Sequence, residues 1–182
     1  MKKSLLFICL LFITSATFAQ RITYADLLFA LNHNDKKVVE DKLLTKGFAF
    51  SGVNVEEYTR TPDKTYNYDN ASGVVSNLVE IFINEYQGIT FRVSATTSKL
   101  DEYVKYKNQI KVLGFKLESS NQENKTSSSS YVNGDLSANL SVVVNSDDTK
   151  SYFISLDSDK KYKIVSALKD KVRKELNAKP SN

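Results

Sequence analysis

Histidine, cysteine and converging carboxylates carry most side-chain reaction chemistry, and this chain is poor in the first two: His33 is its only histidine and Cys9 its only cysteine. A Ser-His-Asp device needs an imidazole to take the hydroxyl proton. His33 alone could serve, but it sits between Asn32 and Asn34 in a stretch that reads as a turn, where short polar side chains compete for backbone hydrogen bonds. No Gly-x-Ser-x-Gly element is present to hold a serine nucleophile. Two acids about 5 to 10 Å apart across a cleft could hydrolyse glycosides. Glu56-Glu57, Asp101-Glu102 and Asp147-Asp148 are adjacent in sequence, and neighbours on a helix or strand point apart, so they read as solvated or turn residues. Asp157-Ser158-Asp159 lacks the ligand spacing of a calcium loop and reads as a helix cap. The six glycines are dispersed, which leaves no phosphate-cradling loop. The expectation is no catalytic set, no metal and no cofactor.

Recognition is better provided for. Tyr58, Arg60, Lys64, Tyr66 and Tyr68 bring aromatic and cationic side chains together around the Thr61-Pro62-Asp63 turn, a mixture enriched where proteins grip partners. The same tyrosines could instead pack half-buried on a strand pair with their hydroxyls in water. Seven Lys or Arg residues between positions 160 and 174 give the last helix a basic face, interrupted by Asp170; it reads as a solvated face.

The compartment follows from the first residues. Lys2-Lys3 precede an apolar run from Leu5 to Ile13, then Thr17-Phe18-Ala19. That run is too short for a bilayer span and fits a bacterial secretory leader. Residues 1–19 are expected to be a signal peptide and residues 20–182 one periplasmic or secreted domain with no transmembrane span. Cys9 lies inside the run rather than just after a cut, so no lipid anchor is expected. Cleavage removes two of the 25 basic residues, leaving 23 against 21 acidic, a net charge of +2. Such a balance gives no electrostatic footprint for nucleic acid. It also removes the sole cysteine, and with it disulfides and thiolate chemistry.

The elements that must position any site read as α+β. A helical region over 24–46 breaks near Asn32-His33-Asn34, with Leu27, Leu28 and Leu31 in one patch and Val38, Val39, Leu43 and Leu44 in another. Gly47 ends it and Phe48 opens a strand. An irregular hairpin is expected over 51–76, then a clear one in which Val79, Ile81 and Ile83 face Ile89, Phe91 and Val93 across a turn at Glu85–Gly88. Ser98 and Asp101 resemble a capping box for a helix whose buried stripe is Leu100, Tyr103, Tyr106 or Lys107, Ile110 and Leu113, ended by Gly114. Phe115 and Leu117 open another strand, and Ser119–Ser130, with no apolar residue, reads as a flexible hairpin tip or loop. Leu136 to Val144 alternate, a turn follows at 145–150, and Tyr152, Ile154 and Leu156 form the last strand. Asp157 or Ser158 then caps a helix with Ile164, Val165, Leu168, Val172 and Leu176 on one face.

Leu43 to Phe50 matches Ile110 to Leu117 as helix, glycine, phenylalanine, strand, 67 residues apart. The chain thus reads as a tandem repeat of 20–97 and 98–182, with helices on one face of antiparallel sheet. In architecture alone, with no motif residue in common, such tandem repeats resemble those of the secreted β-lactamase inhibitory proteins. The functional expectation is a non-catalytic envelope protein acting by contact with another envelope or secreted protein, as an inhibitor, immunity-type protein or assembly factor. Small-ligand or glycan binding and carboxylate-dependent hydrolysis are the alternatives.

Overall fold

The computed structural model describes residues 22–56, 63–70 and 79–178; the expected leader lies outside them. Helix α1 (Tyr24–Asn32) starts from a reciprocal cap. Thr23 Oγ1 accepts from the Asp26 amide at 3.3 Å, while the Asp26 carboxylate accepts from the Thr23 amide at 2.9 Å and its hydroxyl at 2.7 Å. The helix breaks where the sequence predicts, and α2 (Lys36–Thr45) restarts on Asp35, which accepts from the Lys37 amide at 3.0 Å. Gly47 leaves α2 at φ +84°, a conformation that costs glycine least, and the chain enters β1 (Phe48–Val55).

Strands β2 (Lys64–Asn70), β3 (Val79–Tyr86) and β4 (Ile89–Thr97) follow, then α3 (Leu100–Val112), β5 (Lys116–Glu123), β6 (Thr126–Asn133), β7 (Leu136–Val144), β8 (Lys150–Ser158) and α4 (Asp159–Asn177). The eight strands form one sheet in the order β1-β2-β3-β4-β8-β7-β6-β5, and every neighbouring pair is antiparallel. The first and last four strands therefore meet at a β4–β8 seam, with β1 and β5 at the edges. The fold is α+β, with four helices among the described residues.

Period-two alternation sorts the strand residues. Ile81, Ile83, Val93, Ala95, Ala138, Leu140, Ile154 and Leu156 are buried in one cluster with Leu27 and Leu31 of α1, Val39 and Leu43 of α2 and Tyr106 and Ile110 of α3. Each large side chain buried there contributes roughly 1.5–3 kcal/mol. A smaller cluster joins Val165 of α4 to Tyr86 and Phe91. Between the core positions stand Phe82, Ser94, Thr96, Asn139, Ser141 and Ser155, all half-buried.

Several local expectations change. Ser98 does not cap α3: Lys99 is the N-cap, without a side-chain bond, because Asp101 instead pairs with Lys105 at 3.0 Å. The buried stripe of α3 keeps Tyr106 and Ile110, with Tyr103 packed against the core, but Leu100 and Leu113 at its ends are exposed and Glu102 is buried. The Tyr106 hydroxyl donates to the Ile22 carbonyl at 2.8 Å, and Gln109 Oε1 accepts from the Tyr24 amide at 2.9 Å; these bonds to the start of α1 fix the rotation. On α4 Val165 is buried but Ile164 is exposed, and the Leu176 side chain lies outside the described ones. The turn between β3 and β4 is tighter than expected, at Gln87-Gly88.

Ser119–Ser130, expected as a flexible hairpin tip or loop, is the body of a hairpin. This stretch is two strands joined at Asn124-Lys125, with Asn124 at φ +50°. Thr126 to Asn133 pair with β5 on one side and with β7 on the other. A ladder satisfies backbone groups whatever the side chains are, and the apolar alternation of β7 anchors the polar strands beside it.

Candidate binding surface

The tyrosine segment singled out from sequence divides. Tyr58 and Arg60 lie outside the described residues. Lys64 is exposed at the start of β2, Tyr66 is half-buried, and Tyr68 is in the core at 2% exposure, its ring edge-on to Phe50 at 5.8 Å. Burial pushes the Tyr68 hydroxyl up to about 12, with further contributions from Glu40, Tyr66 and Glu85. Tyr68 therefore packs the core rather than presenting a surface.

Tyr66 is tied into a charged group. Its hydroxyl donates to Glu85 Oε1 at 3.0 Å, and the Lys36 ammonium reaches the same oxygen at 2.5 Å, the Tyr66 hydroxyl and the Tyr66 ring face. Burial opposes the Lys36 charge, but the bonds to Glu85 and Tyr66 outweigh it and raise the lysine above its ordinary value. An ammonium so held is no base. It pins the start of α2 to β2 and β3, as the 2.5 Å Lys169–Asp63 pair pins α4 to the start of β2.

The residues that alternate with the core form a second constellation. Strand register sets them in three rows. Thr65, Asn84, Arg92, Asp157 and Ser137 lie side by side across β2, β3, β4, β8 and β7; Asn67, Phe82, Ser94, Ser155 and Asn139 form the next row, and Asp69, Glu80, Thr96, Phe153 and Ser141 the third. Arg92 sits at the seam. Its Nε donates to Asp157 Oδ1, while Asp157 Oδ2 accepts from Asn139 Nδ2 and Ser155 Oγ, both at 3.2 Å. Asp157 is 6% exposed, whereas the Arg92 side chain keeps 43% of its surface in solvent. Its two terminal nitrogens have no partner among the described residues. One carboxylate, fully bonded, thus holds a guanidinium whose outer fork faces water, a geometry suited to planar hydrogen-bond recognition. Phe82 stands in the adjoining row and exposed Phe153 in the row beyond it.

Asp69 and Glu80 are directly opposed across β2 and β3. Burial first, and the Asp69 charge second, raise the Glu80 pKa. Asn67 Oδ1 and Asn84 Oδ1 on the same rows are buried without a hydrogen-bond partner among the described residues.

None of these rows was singled out from sequence. The available signal was local: Arg92 set between Phe91 and Val93 on a predicted strand, and Asp157 directly after Leu156 at the end of another. Elsewhere, a cleft of about 350 Å³ lies between Thr23-Tyr24-Ala25 and the end of α3 at Val112 and Leu113. No group of three or more His, Cys, Asp or Glu residues that could hold a metal occurs among the described residues. No described helix is long and apolar enough to cross a membrane. No family model matches this chain, and no curated protein or solved structure matches it either.

Proposed function

We propose that this chain is exported, loses residues 1–19, and works in the periplasm or outside the cell as a non-catalytic protein that binds another envelope or secreted protein. The three-row sheet face around Arg92 is the contact surface in this reading. The observation that carries it is the outward guanidinium fork held on buried Asp157, with Phe82 in the next row and Phe153 in the row beyond. Arg and aromatic side chains are the residue types enriched at interface centres.

The same proposal takes the chain as two copies of one unit, 20–97 and 98–182, with helices on one side of the sheet. In favour stand the glycines closing α2 and α3, Gly47 at φ +84° and Gly114 at φ +82°, and a strand order in which each set of four runs inward to the seam. The helix contacts at Val93, Ala95, Ile154 and Leu156 leave the intervening Ser94, Ser155 and Phe153 without a helix in the same cluster.

A photo-crosslinking residue at position 153 of the exported chain tests this. The expected result is a crosslink to one envelope protein, competed by unlabelled chain and weakened at least tenfold by Arg92→Ala. A probe at position 116 on the far edge should give none. Equal labelling from both positions, or no effect of Arg92→Ala, would end the proposal.

The Asp69–Glu80 pair supports a second reading, carboxylate-dependent hydrolysis. Directly opposed strand residues have β-carbons about 5 Å apart, near the carboxyl separation of retaining glycosidases. Turnover of aryl glycosides that disappears in Glu80→Gln would favour it. A Glu80→Gln chain that is merely more stable assigns the pair no reaction.

A further inference from the structure

The two edges of the sheet differ in a way that bears on assembly. Edge β5 carries Lys116, Glu118 and Glu123, and all its residues are exposed, the usual protection against stray pairing. Edge β1, Phe48–Val55, holds no charged residue. It leaves Phe50, Val53 and Val55 at 47%, 45% and 42% exposure, and its only strand neighbour among the described residues is β2. An edge strand of this kind offers unpaired backbone groups beside apolar side chains, a template for another strand.

A register shift between Phe50 and Gly52 decides which strand fits. Phe48 and Phe50 pair with Asn70 and Tyr68, and beyond the shift Val53 and Val55 pair with Tyr66 and Lys64. Positions 64, 66, 68 and 70 of β2 share one sheet face, so the irregularity keeps all four apolar residues of β1 on that face despite their spacing in sequence. Read in reverse, Phe-Ala-Phe-Ser-Gly-Val-Asn-Val then sets apolar against apolar and small or polar against small or polar about its own centre.

We infer that β1 is a self-pairing edge: two copies of this chain join antiparallel through Phe48–Val55 about a two-fold axis between Ser51 and Gly52. Phe50 then lies opposite the partner's Val53, and Phe48 opposite the partner's Val55. Each contact occurs twice, as a two-fold interface requires, and the charge-free strand opposes no like charges. The register shift falls next to the axis in both copies, so the pairing on either side of it stays matched. Exposed Val38 and Leu44 of α2, a helix that lies against β1, extend the apolar margin.

Sedimentation velocity on residues 20–182 at micromolar concentrations should show a reversible dimer. Val53→Lys should weaken self-association at least tenfold, whereas Ser120→Lys on the opposite edge should leave it unchanged. Because Cys9 is the only cysteine, residues 20–182 form a cysteine-free background. Phe50→Cys mixed with Val53→Cys should form mixed disulfides in preference to either variant with itself. A monomer at all concentrations, a dimer indifferent to Val53→Lys, or disulfides without preference for the mixed pair would each overturn the inference. Pairing of β1 only with a foreign protein, and never with itself, would overturn it as well.

Discussion

Removing the Arg92 side chain tests the centre of the proposed surface and the energetics of the seam together. Asp157 is 94% out of solvent and its carboxylate has three partners, of which only Arg92 is charged. Arg92→Ala leaves that charge with two neutral hydrogen bonds from Asn139 and Ser155. Breaking a fully buried ion pair by deleting one partner costs about 3–5 kcal/mol. Arg92 is nearly half in solvent, so water screens the pair, and the charge-assisted bond itself accounts for about 1.5–3 kcal/mol. The expected loss is about 2 kcal/mol, a fall in Tm of about 4–8 °C for a domain of this length. Urea and thermal melts of residues 20–182 read both quantities. Replacing the pair together, Arg92→Leu with Asp157→Leu, should restore most of the loss, since apolar replacement of a buried pair is often near neutral. If Arg92→Ala moves Tm by less than about 1 °C, or the effects of the two sites simply add, the two residues are not coupled and the seam is not held as described.

Two further substitutions have signs that follow from their surroundings. Burial opposes the charge of Asp26, but the bonds from Thr23 and the nearby Lys46 and Lys42 outweigh it and depress its pKa; stability from this carboxylate is full above its unfolded value and is lost as pH falls through the depressed folded value. Asp26→Asn should therefore cost about 1 kcal/mol at pH 7 and flatten the acid limb of a urea-midpoint profile; an acid limb identical to wild type refutes it. Glu80 behaves oppositely, because burial and then Asp69 raise its pKa, so the folded state loses stability as pH climbs through that raised value. Glu80→Gln should add about 0.5 kcal/mol at pH 7 and nothing below the ordinary carboxylate range; a destabilised variant at pH 7 refutes the like-charge reading.

How much could be read from sequence depended on whether the deciding partner was near in the chain. The β3–β4 hairpin, the alternation of β7 and the stops at Gly47 and Gly114 were legible because short-range period and backbone conformation decide them. The middle of the α3 face was legible too, at Tyr103, Tyr106 and Ile110, but its ends were not. Leu100 and Leu113 outrank Glu102 in hydrophobicity, yet Glu102 is buried, because Tyr106 and Gln109 bond to residues more than 80 positions earlier. The length of the polar strands within 119–130 was hidden for a related reason, since serine-rich composition describes side chains while pairing uses the backbone.

The candidate surface stands furthest from local reading. Arg92 and Asp157 are 65 residues apart, and they become neighbours only because β4 pairs with β8, a connection fixed once all eight strands have their order. Before that, a charged residue between Phe91 and Val93 marks the exposed side of a strand and nothing more. The tyrosine segment shows the converse. Tyr66 and Tyr68 share one face of β2 by parity, yet Tyr68 opposes buried Ile81 while Tyr66 opposes Ile83 beside the Lys36–Glu85 pair, so like residues two positions apart meet different surroundings. Composition proposes which side chains could grip a partner. Strand order decides which of them remain outside the core: it buries Tyr68, half-buries Tyr66 against Glu85, and leaves Lys64 and the Arg92 guanidinium in solvent.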